Sequence, residues 1–335
     1  MVEFLGRRLI LTTISLFGVL VITFTISHII PGDPARVLAG RWATQEQVQA
    51  IRKELGLDRP LSIQFGHYLI DLVHGRLGTS IVSQRRIVDE LREYLPPTLE
   101  LVLVAMFINV ALAIPLGVLA AVNRGGIFDA FSRLIAVVGA AAPVFWVGLL
   151  FQMLLYGKLH ILPLGGQLDF LTTPAKTITG LQVVDSLVTG KWSTLGDAMV
   201  HLIMPAFTLG IGFVAVITRI VRSSMLSTLN TDYVRSARAK GLPERTVIYK
   251  HALKNAIIPP LTVMGMQLGW MMGGTVLVET VFSWGGIGFW AVTAIRQNDF
   301  PVIMAVTLII SLVFIGANFC VDLLYMVLDP RIRYS

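Results

Sequence analysis

Long apolar runs alternate with polar intervals along the chain, and six of the runs, at residues 9–30, 101–122, 134–156, 202–218, 257–278 and 301–321, predict membrane-spanning helices. A helix needs about 20 mostly apolar residues to cross roughly 30 Å of hydrocarbon, where each backbone polar group must be satisfied within the segment. The fourth run is the shortest, and Arg219 at its end is long enough to carry its charge out to the headgroups. The first run follows Arg7 and Arg8 as a signal peptide would. It exceeds the usual apolar length of about 7–15 residues, however, and no small-residue cleavage site follows, so it reads as an uncleaved anchor.

Composition agrees. Of 335 residues, 55% are hydrophobic and 14% charged, and the mean hydropathy is +0.74. Both departures from the usual balance exclude a single soluble domain. One cysteine, Cys320, leaves no intrachain disulfide and no multi-cysteine metal site. The net charge of +7 invites a nucleic-acid partner until the cations are placed. Arg7 and Arg8, Arg124 and Arg133, Arg331 and Arg333, and the run from Arg219 to Lys254 all fall on one side of a six-span chain. That is the topological charge signal of short cytoplasmic loops; both termini are expected in the cytoplasm, and no nucleic acid is implied.

The remaining intervals are expected outside. Residues 31–97 open with the turn-rich Pro31-Gly32-Asp33-Pro34, and Thr44 with Gln47 predicts a capping box ahead of a helix over 45–55 that stops at Gly56. Short helices are expected over 63–73 and 87–95. His67 and His74 lack a third ligand and define no zinc site. Residues 157–200, rich in Gly, Pro and Thr, predict an ordered surface loop, with a lid over a pathway as the equal alternative.

The richest interval lies between the fourth and fifth runs. Residues to Lys240 favour helix, Gly241 suits a C-terminal cap, and Pro243-Glu244 suits the first turn of a second helix carrying the apolar stripe Val247, Ile248, Ala252 and Leu253. Such a helical pair fits either a groove on another protein or the lipid headgroups.

Arg235-Ser236-Ala237, with Gly241 after three further residues, resembles the EAA loop of ABC-transporter permeases of binding-protein-dependent importers. The longer string from Tyr233 to Pro243 is similar to the dipeptide and oligopeptide branch. So are Ile30 to Ala35, Val278 to Phe282 with Gly285-Gly286-Ile287-Gly288, and Val321 to Tyr325 with Asp329 to Tyr334. Arg235 stands where the general motif has Glu, and its proline is delayed to Pro259; both departures look usual for the peptide branch. The resemblance implies an all-α polytopic membrane protein of the type I ABC importer permease fold, with six transmembrane helices in a bacterial cytoplasmic (inner) membrane. It divides the chain into a tail and first helix (1–30), an extracytoplasmic helical insertion (31–97), a core (98–325) and a cytoplasmic tail (326–335). The core includes the outer loop 157–200 and the cytoplasmic coupling loop 223–256.

No Walker A string occurs, so ATP and Mg are expected in partner subunits and no cofactor on this chain. The resemblance implies two cytoplasmic ABC ATPases, a second homologous permease and an extracytoplasmic solute-binding protein. It assigns Arg235, Ser236, Ala237, Arg238, Ala239, Lys240, Gly241 and Leu242 to ATPase coupling. Dipeptides, longer peptides, glutathione, nickel chelates and haem are carried in related branches.

Two further patterns are expected to matter. Gly265, Gly269 and Gly273 form a small-residue face, for a partner permease or for packing within the chain. Asn109, Gln267 and Glu279 are polar groups inside apolar runs and hence pathway candidates. An ion-gradient-driven carrier would need midplane coupling-ion carboxylates and usually internal repeats, and an intramembrane enzyme a nucleophile and base or a metal cluster. Neither pattern is seen.

Overall fold

The computed structural model describes residues 2–29, 33–40 and 42–328. In chain order the helices are α1 (Val2–Ile29), α2 (Pro34–Ala39), α3 (Gln45–Glu54), α4 (Leu61–Val73), α5 (Ile87–Val122), α6 (Ile127–Ala141), α7 (Val144–Phe151), α8 (Gln182–Val188), α9 (Trp192–Leu229), α10 (Asp232–Ala239), α11 (Glu244–Thr246), α12 (Leu253–Ala256), α13 (Ile258–Phe282), α14 (Ile287–Gln297) and α15 (Phe300–Leu328). A wider π-helical turn, Gln152–Lys158, continues α7, and another, Val247–Ala252, joins α11 to α12.

Among the described residues five helices are long and apolar enough to cross a membrane, and the number is six if a bent pair counts as one span. The third expected span falls on that pair, whose two halves meet at 106°. The break falls at Ala142-Pro143, where proline lacks the N–H the ladder needs and forces its predecessor out of the helical region. The second and fourth spans instead extend beyond their apolar runs. Residues 87–95, expected as a separate short helix, are the first turns of α5, which passes through Pro96 and Pro97. Likewise α9 begins at Trp192 and passes through Pro205. Proline is tolerated in such helices where neighbouring groups re-satisfy the freed carbonyls.

The chain divides into two compact units, Met1–Thr98 with Gly285–Val313, and Leu99–Trp284 with Phe314–Ser335. In the first, Asp33 caps α2 through the Ala35 N–H and pairs with Arg52 at 2.6 Å. The Thr44–Gln47 capping box forms in both directions, and Gly56 at φ +65° ends α3. Phe17 and Phe24 of α1 meet Phe65 of α4, and Tyr68 lies against Phe24, its hydroxyl pushed up to about 12 by burial. The buried Asp299 accepts from the Ser80 hydroxyl and the Ile81 and Val82 N–H groups. His67 and His74 sit by Arg59 and the Ile70 carbonyl respectively.

In the second unit α9 is the hub, packed against α6, α7, α8, α12 and α13. The loop leading into α8 is ordered by carboxylates. Asp185 accepts from the Ile178, Thr179 and Gly180 N–H groups and the Thr179 hydroxyl. Glu100 of α5 accepts from Gln182 and Val183 at the start of α8. The stretch around Gly165 lies against the end of α13: Gly166 donates to the Phe282 carbonyl at 2.8 Å, and a Cβ on Gly165 would fall 2.2 Å from that oxygen.

Candidate functional site

The segment after α9 is a helix, a turn and a second helix. α10 ends at Ala239, and Gly241 follows at φ +73°, a left-handed conformation that costs an L side chain but not glycine. Its N–H donates to the Arg238 carbonyl at 2.9 Å. Across the turn Arg238 grips Glu244 at 2.7 Å. That hydrogen bond holds the Glu244 carboxyl below its ordinary range and raises the Arg238 guanidinium. Both side chains are exposed, so the pair shapes the turn more than it stabilises it.

The apolar stripe on the second helix faces inward, not toward a groove or lipid. Val247, Ile248 and Ala252 are buried in one cluster with Val221 and Met225 of α9, Val234 and Ala237 of α10, Ala256 of α12, Met264 of α13, and Ala113, Val118 and Ala121 of α5. The helical pair is thereby bolted to three spans. Arg235, Ser236, Arg238, Ala239, Lys240, Gly241 and Leu242 remain on the surface, whereas Ala237 does not: only 6% of it is exposed. Sequence pattern alone missed this split, although the three-residue spacing from Val234 to Ala237 already puts the two on one helical face.

The other candidates are all in the second unit. Asn109 of α5 donates to the Gln267 side-chain oxygen of α13 at 2.9 Å, both groups being buried, so two residues chosen separately form one bridge; the Asn109 Oδ1 has no partner among the described residues. Glu279 is fully buried. The glycine face divides. Gly269 abuts Phe314 of α15, where a Cβ would come within 2.4 Å of the ring, and Gly273 faces open space. Gly265 is buried.

A second polar cluster escaped the sequence reading. Asp129, near the start of α6 and 1% exposed, receives the Arg222 fork at 2.6 and 3.0 Å, the Gly125 N–H, and Arg133 at 3.4 Å. The i,i+4 pair with Arg133 was legible; the pairing with Arg222, in another helix, was not.

The chain matches two family models: residues 113–334 that of the "binding-protein-dependent transport system inner membrane component", and residues 1–102 its N-terminal membrane-component companion. It belongs to that transport family. The permease is 47% identical to the probable D,D-dipeptide transport system permease protein DdpB of Escherichia coli K12, over 94% of this chain and 93% of that protein. It is 41% identical to the dipeptide permease DppB of Alkalihalophilus pseudofirmus over the whole of both chains, and 38% identical to the glutathione permease GsiC of Escherichia coli O6:H1, again over all of both. The permease is thus a membrane subunit of an ABC importer, not a carrier driven by an ion gradient, and it works in a binding-protein-dependent system in the inner membrane. Residues 30–32 and 329–335, which carry parts of two motifs, lie outside the described residues.

Proposed function

We propose that this permease forms half of a pathway carrying dipeptides, or short peptides close to them, into the cell, with a second homologous permease as the other half. Two cytoplasmic ATPases hold ATP and Mg, an extracytoplasmic binding protein delivers the peptide, and both termini of the permease are cytoplasmic. The names of its relatives support the substrate class. One observation carries the coupling role: the exposed surface of 235–242 rides on an apolar core shared with α5, α9 and α13. Closely packed interiors transmit displacement instead of absorbing it, so an ATPase pressing on α10 moves those spans. Ala237 serves from beneath that surface. ATP must favour the outward-open arrangement over the inward-open one, since only differential affinity shifts a population. Asn109 and Gln267 act first as a bridge between α5 and α13, and the open Asn109 oxygen keeps the pair a pathway candidate. Glu279 is a candidate by position alone.

The test is uptake of labelled dipeptide into proteoliposomes holding the reconstituted importer, with binding protein and ATP on opposite sides. Gly241→Asp is expected to abolish uptake while the subunit stays inserted. Normal ATP-dependent uptake by that variant overturns the coupling role. A cysteine at Lys240 in a Cys320→Ser background should react with an impermeant maleimide only in inside-out vesicles. Reaction in right-side-out vesicles overturns the orientation.

A further inference from the structure

A cavity of about 590 Å³ opens between α6 and α9. Its polar rim is Ser132, Arg133, Thr218, Arg219 and Arg222, and its other wall is Ala136, Val137 and Ala141. Three guanidinium groups line it, and two of them pair with one carboxylate. Asp129 takes the Arg222 fork and the edge of Arg133, while Arg219 has no ion-pair partner among the described residues. The rim therefore keeps a positive surplus. Thr218 supplies an independent observation: it is 1% exposed, it lines the cavity, and its hydroxyl has no hydrogen-bond partner among the described residues. A buried hydroxyl normally finds an acceptor. A donor left without an acceptor in the wall that also carries the surplus cations suits an anionic oxygen. The apolar wall runs on into an exposed apolar face of α6, where Val137 is 68% exposed alongside Leu134 and Val138.

We propose that this cavity is a binding site for an anionic phospholipid, whose phosphate sits against Arg219, Arg133 and the Thr218 hydroxyl and whose acyl chains run along α6. Charge complementarity selects the headgroup, and the adjoining apolar face selects a lipid over a free anion. Basic pockets between membrane helices on the cytoplasmic side suit such headgroups. The orientation proposed above assigns the leaflet only. Lipid retention is read without transport, so this site and the coupling role fail separately.

The experiment is native mass spectrometry of the purified, delipidated importer after incubation with equal amounts of phosphatidylglycerol and phosphatidylcholine. Preferential retention of phosphatidylglycerol is expected, reduced about fivefold by Arg219→Gln, the scale of one cation at a lipid headgroup. Thr218→Val, which keeps shape and loses the hydroxyl, should reduce it as well. Arg219→Lys should keep most of the retention, and the exposed Lys254→Gln all of it. Equal retention of the two lipids, or Arg219→Gln and Thr218→Val behaving as wild type, overturns the site. Displacement of phosphatidylglycerol by millimolar inorganic phosphate also overturns it, in favour of a free-anion site.

Discussion

Ala237 and Ala239 differ by two positions and should fail in opposite ways when enlarged to leucine. Ala237 is 6% exposed in the cluster beneath α10, with Val234, Val247, Ile248 and Met225 as fellow members. Three added carbons have no space there, and overpacking of a closed core costs about 1–3 kcal/mol. Ala239 is exposed, and a surface change away from special features stays within about 0.5 kcal/mol. Heating the detergent-solubilised subunit and measuring the monodisperse fraction by size exclusion should therefore show a clearly lowered midpoint for Ala237→Leu and an unchanged one for Ala239→Leu. Copurification of the ATPases should reverse the order, Ala239→Leu losing them while its fold is intact. Equal midpoints would refute the buried placement of Ala237. Full ATPase retention and uptake by Ala239→Leu would refute the docking surface.

Three further outcomes follow from single observations. At Gly241 a Cβ meets nothing within 4 Å, so only the φ of +73° is strained; Gly241→Val should cost roughly 1–2 kcal/mol of local stability, and Gly241→Asn less, as read by hydrogen exchange across the turn. Gly269→Leu drives its Cβ into the Phe314 ring, 2.4 Å away, and should lower the thermal midpoint of the isolated subunit; Phe314→Ala should restore it, and failure to rescue would place the clash elsewhere. Burial would by itself raise the Asp185 carboxyl, but its hydrogen bonds to Thr179, Ile178 and Gly180 together hold it below the ordinary value. A depressed carboxylate contributes fully above its unfolded value and loses that contribution as pH falls through the folded one. Protection of the 178–180 amides should accordingly persist at neutral pH and fade only on acidification, and Asp185→Asn should abolish the dependence.

Hydropathy determined where the long apolar helices fall and in what order, because lipid leaves a backbone no alternative to internally bonded helix. Local chemistry determined the caps: Thr44 with Gln47, and the left-handed turns at Gly56 and Gly241, depend on neighbours within four residues. Motif order pointed to the family as well. What crosses between helices was decided only by the tertiary structure. The inward face of Val247 and Ala252, the Asn109–Gln267 bridge, Gly269 against Phe314 and the capture of Arg222 by Asp129 join positions far apart in the chain. An amphipathic stripe states that a face will be covered but not by what, and membrane helices are selected as strongly for facing lipid as for facing one another. The bend at Pro143 belongs with these, for Pro96, Pro97 and Pro205 carry the same local signal and their helices run on. Proline removes a hydrogen bond wherever it stands; the surrounding helices decide whether the ladder closes again.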